Sequence, residues 1–143
     1  MCIRDRHLAG TLSTANPLLF EEYKSVEWAK KSLVGGSSIR VTCMTLDEFI
    51  EENQIPIGFE VLIVDVEGFE AEVFAGFNLA KWRPKMIIVE LVNTHPDLQT
   101  TRSSDAQLQR AVSDSGYQVA YKDLINTVSV SYTHLTLPTK RIV

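Results

Sequence analysis

The chain has 143 residues, enough for one domain, with 45 % hydrophobic and 22 % charged residues, as in an ordinary soluble globular protein. Its net charge of -4 and its lack of a Lys/Arg-rich block exclude a typical nucleic-acid-binding protein. The longest apolar runs are about five residues, far below the roughly 20 that a membrane helix needs. We therefore expect neither a nucleic-acid partner nor a membrane partner. Two cysteines favour neither a disulfide scaffold nor a metal cluster, and we expect a cytoplasmic protein.

Both ends of the chain differ in character from the sequence between them. Residues 1–7 and 131–143 resemble translated sequencing-adapter sequence, and Thr and Leu alternate in the tail without turn residues until Pro138. We therefore expect a native segment of residues 8–130, with a short real C-terminal strand as the alternative for the tail.

The first half of that segment predicts a helix, a strand and a second helix. Apolar residues recur at helical spacing from Pro17 to Leu33, which indicates an amphipathic helix. Ile39–Cys43 alternates as a short strand. Thr45–Glu48 is a capping-box pattern, in which the Thr and Glu side chains bind free backbone amides, and it opens a helix that ends near Asn53.

The second half continues the alternation of strands and helices. A continuous apolar run predicts a strand buried on both faces at 61–66, and a second such strand is predicted at 86–92. Between them lies a helix with Phe69, Val73 and Phe77 on one side. A second capping box at 104–107 opens a helix that stops at Gly116, and an antiparallel pair at 117–121 and 127–130 closes the segment. The predicted class is α/β, with a mostly parallel sheet and a C-terminal antiparallel strand pair.

Three carboxylates follow or end the two buried strands. In open α/β sheets, ligands bind beyond the carboxyl ends of the strands. That places Asp65, Glu67 and Glu90 as catalytic candidates, with Asp65 and Glu90 side by side if the two strands are neighbours. The alternatives are that Glu67 only caps the next helix and that Glu90 is hydrogen-bonded into the sheet edge. A divalent ion held by Asp65, Glu90 and Asn93 is a further alternative, so the metal content stays unknown.

Three residues near these carboxylates are candidates for binding the substrate. Gly68 would allow the close approach of backbone or ligand. Asn93 and His95 follow Glu90 in a loop, where His95 is either a plain loop residue or a general base.

Three segments together resemble the FkbM-type methyltransferases. They are Val41–Ile50, then Val61–Gly76 with its Asp-Val-Glu-Gly-Phe-Glu core, then Arg83–Leu91, and the resemblance covers roughly residues 39–130. It implies a Rossmann-like class I methyltransferase that transfers a methyl group from S-adenosylmethionine to a hydroxyl, often on a sugar or a polyketide. It also implies that Asp65 and Asp47 contact the cofactor, although Asp47 is equally a helix first-turn carboxylate. Ile63 stands where the family commonly has Lys.

The resemblance lacks the part of the family domain that binds the cofactor. No Gly-x-Gly-like turn stands between a strand and a helix, and Gly35-Gly36 follows a helix and precedes a strand, the wrong order for that role. We therefore expect the C-terminal portion of a methyltransferase domain that is inactive alone. The alternatives are a non-catalytic truncated α/β domain and a glycoside hydrolase that uses the Asp65/Glu67 pair. The methyl acceptor and the oligomeric state are not predicted.

Overall fold

The computed structural model describes residues 2–8, 12–31, 33, 37–92 and 95–132. This part of the chain contains six strands and six helices. The strands are β1 (Cys2–Leu8), β2 (Ser37–Cys43), β3 (Val61–Val64), β4 (Met86–Glu90), β5 (Tyr117–Lys122) and β6 (Asn126–Ser131). The helices are α1 (Pro17–Tyr23), α2 (Glu27–Lys30), α3 (Leu46–Glu52), α4 (Glu70–Ala75), α5 (Leu79–Trp82) and α6 (Arg102–Asp114). None of these helices has the length and apolar character needed to cross a bilayer.

The main sheet has four strands in the order β3-β4-β6-β5. β3 and β4 pair in parallel, whereas β6 is antiparallel to both β4 and β5. Three of the four strands therefore run in one direction and β6 alone is reversed. This confirms the α/β class, the mostly parallel sheet and the C-terminal antiparallel pair.

One face of this sheet carries the principal core. Leu62 and Val64 of β3 and Ile87 and Val89 of β4 pack with buried side chains from four further elements, namely Ile50 of α3, Trp82 of α5, Leu108 and Val112 of α6, and Tyr117 of β5. Side chains alternate across a strand, so Val61 and Ile63 point to the other face, where Ile63 is 67 % exposed. The prediction of a strand buried on both faces is wrong for β3, because it is an edge strand whose described helical neighbours cover only one side.

The second sheet is a two-stranded antiparallel ribbon of β1 and β2, paired from Cys2 with Cys43 to Leu8 with Ser37. The predicted strand at 39–43 exists, but its inclusion in the parallel β/α alternation is wrong. β1 covers most of the predicted adapter segment 1–7, and β6 reaches Ser131, one residue into the predicted tail. The foreign origin of both ends remains a prediction.

The helices follow local capping chemistry, which breaks two of the predicted helices. The predicted helix at 17–33 divides into α1 and α2, because the Ser25 hydroxyl bonds the Glu22 carbonyl and Val26 is extended at the start of α2. The Asn78 side chain accepts from the Lys81 N–H and starts α5 as a separate helix after Gly76. The capping box at Thr45–Glu48 is confirmed. The one at 104–107 is wrong, because α6 starts two residues earlier, at Arg102.

Candidate functional site

The parallel pairing of β3 with β4 brings the three predicted carboxylates together. Val64 pairs with Val89, so Asp65 and Glu90 follow at the same edge of the sheet. One carboxylate oxygen from each of Asp65, Glu67 and Glu90 lies within 4.8 Å of the others. The sequence prediction that Asp65 and Glu90 are neighbours is confirmed, and Glu67 joins them. We call these three residues the carboxylate cluster.

The surroundings of Glu90 in the carboxylate cluster favour its protonated form. Burial raises the pKa of Glu90 well above its ordinary value, and the hydrogen bond to Asp65 and the charge of Glu67 raise it further. Glu90 therefore holds its proton more tightly than an ordinary glutamate does. The three carboxylates are close enough to share one divalent cation. The cation predicted at Asp65, Glu90 and Asn93 remains a prediction, because Asn93 lies outside the described residues.

Glu67 and Gly68 form a tight turn with both residues in the left-handed region, at φ 53° and 83°. Its carbonyls are held from the N-terminal segment, because the Thr14 hydroxyl donates to the Glu67 carbonyl at 2.5 Å and the Asn16 amide donates to the Gly68 carbonyl at 3.0 Å. Such a conformation is costly for Glu67 and persists only where surrounding contacts determine it. The turn directs the Glu67 side chain toward Asp65 and Glu90.

Glu70 holds the same turn from inside. Its carboxylate accepts from the backbone N–H of Val66 at 3.1 Å and of Gly68 at 3.3 Å, and the residue is 2 % exposed. Burial raises the pKa of Glu70 to about 7, while its backbone hydrogen bonds act in the opposite direction. Glu70, in the first turn of α4, is therefore buried against the turn and does not face solvent. Glu70 fixes the backbone on which Glu67 stands.

Tyr23 supplies the partner of the Glu67 side chain. The phenol donates to Glu67 Oε2 at 2.9 Å from a ring that is almost fully buried in α1. Burial, followed by the charge of Glu67, raises the pKa of Tyr23 far above its ordinary value. The phenol is therefore a permanent donor, and a permanent donor orients Glu67 as a proton acceptor.

The segment that carries Tyr23 also binds the loop after β4. Glu22 accepts from the backbone N–H of Gln99 at 2.7 Å and of Thr100 at 3.0 Å, and Leu98 packs into a second small core with Leu19 and Tyr23. α1 therefore fastens the loops that follow both parallel strands, so that the carboxylate cluster stands on a backbone held from several sides.

Replacing Tyr23 with phenylalanine removes one hydroxyl at a buried position. We expect the free energy of unfolding to fall by about 1–2 kcal/mol, because Glu67 loses a charge-assisted partner. Tyr121→Phe is the matched control, since Tyr121 donates to Asp123 at an exposed strand end. Urea denaturation of both variants measures the difference. A Tyr23→Phe loss no larger than that of Tyr121→Phe would contradict the role given to Tyr23.

The substrate-binding candidates have different positions. Gly68 lies in the turn beside the carboxylate cluster. His95 lies in the loop after β4, where its ring packs against Trp28 at 5.7 Å and its Nδ1 accepts from the Asp97 N–H at 3.2 Å. Asn93 lies outside the described residues. Their roles in binding an acceptor remain predictions.

Asp47 lies apart from the carboxylate cluster, in the first turn of α3. Its Oδ1 accepts from Trp82 Nε1 at 2.7 Å and from the Asn78 N–H at 2.8 Å, so that it joins α3 to α5. These contacts agree with the structural alternative for Asp47. The cofactor contact implied by the resemblance remains a prediction.

A double-mutant cycle on Asp47 and Trp82 tests the structural role. We expect Asp47→Ala to lower the free energy of unfolding by about 1–3 kcal/mol, because it leaves two donors without their acceptor. With Trp82→Phe the two losses should be less than additive by about 1 kcal/mol. Additive losses in chemical denaturation would show that the hydrogen bond contributes nothing to stability.

Sequence reasoning missed Thr14, Asn16 and Tyr23 as members of the site. Periodicity placed Tyr23 on the apolar face of a helix, which is correct for its buried ring. It gives no information about the hydrogen bond of its hydroxyl. A partner 44 residues away has no local signature. A usable signal was Asn16-Pro17, a capping residue before a helix-starting proline, which marks where α1 begins and so where its first turn is anchored.

The fold and the carboxylate cluster define an α/β protein with convergent acidic groups at the carboxyl edge of two parallel strands. Comparison with known families then identifies it. The model of the methyltransferase FkbM domain matches residues 6–119, and the chain belongs to this family. No curated protein and no solved structure matches the chain.

The two residues predicted to contact S-adenosylmethionine stand at different elements of the described structure. Of the two residues predicted to contact it, Asp47 is engaged by Trp82 and Asn78, and Asp65 belongs to the carboxylate cluster. The sequence offers no Gly-rich turn between a strand and a helix to receive the cofactor.

Proposed function

We propose that this protein catalyses transfer of a methyl group from S-adenosylmethionine to a hydroxyl of a small molecule such as a sugar or a polyketide. The carboxylate cluster carries the proposal, because it presents three convergent acidic groups at one edge of a methyltransferase-family domain. S-adenosylmethionine, when bound, would supply an electrophilic methyl group. No nucleic acid and no membrane takes part in this proposal.

In the proposed reaction Asp65 is the general base. Its carboxylate accepts the proton of the acceptor hydroxyl, and the neutral Glu90 donates a hydrogen bond that keeps Asp65 in place. Glu67, oriented by Tyr23, accepts a hydrogen bond from the acceptor or from a neighbouring hydroxyl of the same molecule. The left-handed turn at Gly68 keeps the backbone close to that position.

The same proposal holds that residues 8–130 are the C-terminal portion of a methyltransferase domain and that the isolated chain is inactive. Recovering and sequencing the genomic DNA upstream of the codon for His7 tests it. An in-frame extension that encodes a strand, a Gly-rich turn and a helix would support the proposal. A start codon at that point, with stop codons behind it, would contradict it.

The reaction is tested with S-adenosylmethionine labelled with ¹³C in its methyl group. The product of the complete reading frame is incubated with hydroxylated small molecules, sugars and polyketide alcohols separately, and products are read by mass spectrometry. A labelled O-methyl ether in either class supports the proposal. Labelled products only on nitrogen or carbon would overturn the hydroxyl assignment.

A further inference from the structure

A second concave feature lies away from the carboxylate cluster. It is a cleft of about 410 Å³ between the end of β2, the first turn of α3 and one side of α4. The apolar lining consists of Phe49 of α3, Phe69 just before α4 and Val73 of α4, and Met44 also lines the cleft. None of the three carboxylates of the cluster lines it. Its volume is in the range of small-molecule sites.

The walls of this cleft are held firmly. The Asp47 N–H donates to the Gly76 carbonyl at 3.0 Å, which ties the start of α3 to the end of α4. A side chain at Gly76 would come within 3.1 Å of Thr45, so the two helices touch at this point. The capping box of Thr45 and Glu48 fixes the first turn of α3. The cleft is therefore a preformed space between two anchored helices.

Large apolar side chains remain open to solvent at this cleft. Phe49, on the anchored helix α3, and Met44, in the short link between β2 and α3, are each 46 % exposed. An isolated exposed apolar side chain needs no explanation, but two that line the same cleft mark a surface suited to an apolar ligand.

Acidic residues predominate on the two helices that form the cleft, although Glu51 is paired with Lys81 and Glu70 is buried in the turn after β3. α3 and α4 together carry six acidic residues and neither Lys nor Arg, the acids being Asp47, Glu48, Glu51, Glu52, Glu70 and Glu72. Glu72 lines the cleft itself, and within the described part of the chain its carboxylate has no hydrogen bond or ion pair. A carboxylate beside two aromatic rings provides the chemistry that binds alkylated ammonium groups.

We propose that this cleft binds a small organic cation with an apolar body, an alkyl- or arylammonium compound. Its apolar part lies against Phe49, Phe69 and Val73, and its cationic group lies beside Glu72. The site is separate from the carboxylate cluster and does not depend on methyl transfer.

Phenyltrimethylammonium is a suitable probe, and Cys43 gives a direct readout because its half-buried thiol lines the cleft. In a Cys2→Ser chain Cys43 is the sole cysteine, so its alkylation by uncharged iodoacetamide can be followed by mass spectrometry. We expect the probe to slow alkylation saturably, with a dissociation constant of about 1 mM or below. Alkylation unaffected by the probe would overturn the proposal.

Three variants separate this site from nonspecific binding. Glu72→Gln should lower the affinity for the probe about fivefold by removing the charge. Phe49→Ala should lower it by a similar factor by removing one aromatic wall. Glu52→Gln is the control, because it removes an exposed acid of α3 that does not line the cleft, and its affinity should equal that of the parent chain. Equal affinities of Glu72→Gln and Glu52→Gln, or an unchanged Phe49→Ala, would overturn the proposal.

Discussion

Gly68→Ala is expected to lower the free energy of unfolding by about 2–4 kcal/mol. Gly68 has φ +83°, and a Cβ built on it would lie 2.2 Å from Leu19 Cδ2 and 3.1 Å from Thr101 Cγ2. Leu19 is fully buried, so it cannot move aside without displacing α1. The variant therefore combines a strained backbone with overpacking, and it disturbs the helix that carries Tyr23.

Gly58→Ala separates the two contributions. Gly58 also has a positive φ, +75°, but a Cβ there meets no atom within 4 Å. Gly58→Ala should therefore lower the free energy of unfolding only by the cost of the strained backbone, about 1–2 kcal/mol. Urea denaturation of both variants gives the comparison. Equal losses at the two positions would mean that Leu19 does not press on Gly68, and the packing of α1 over the turn would be wrong.

Glu70→Ala is expected to lower the free energy of unfolding by about 2–4 kcal/mol, because the backbone N–H groups of Val66 and Gly68 lose their acceptor. Glu70→Gln keeps an acceptor oxygen and should lose less. Glu72→Ala, an exposed acid on the same helix, should stay within about 0.5 kcal/mol of the parent chain. A loss of stability for Glu70→Ala as small as that for Glu72→Ala would contradict the claim that Glu70 stabilises the turn.

The stability contribution of Glu70 should also depend on pH. Its pKa is raised to about 7 in the folded chain from 4.5, so the folded state binds this proton more tightly than the unfolded state. The contribution is full below pH 4.5 and is lost as the pH rises through about 7. Glu70→Gln has no such group, so the stability of the parent chain relative to Glu70→Gln should be higher at pH 5 than at pH 8.5. A difference that grows with pH would have the wrong sign.

Much of the carboxylate cluster could be predicted because it depends on a general rule of sheets. Two apolar runs that each lead into an acidic residue predict parallel strands, and parallel neighbours place their carboxyl ends together. Asp65 and Glu90 follow from that rule alone. The capping box at Thr45 was equally accessible, because its contacts span only three residues.

The parts that failed depend on tertiary contacts. The burial of β3 was overestimated because an apolar run does not reveal whether a strand is central or at an edge. The pairing of β2 with β1 needs a partner that lies 29 to 41 residues away, from Leu8 with Ser37 to Cys2 with Cys43, and that has no strong strand pattern. The sequence did not decide whether Glu70 is solvated or a site residue, since its burial comes from a turn that folds back over its own helix.

The most direct test of the central claim is the initial rate of methyl transfer by the product of the complete reading frame, compared between Asp65→Asn and Asp114→Asn. Asp114 lies exposed at the end of α6, far in sequence from the carboxylate cluster, and its variant should keep the parent rate. We expect Asp65→Asn to lose about 10²–10⁴-fold while retaining its folded stability, since it removes a general base. Equal rates for the two variants would show that Asp65 does not take part in the reaction.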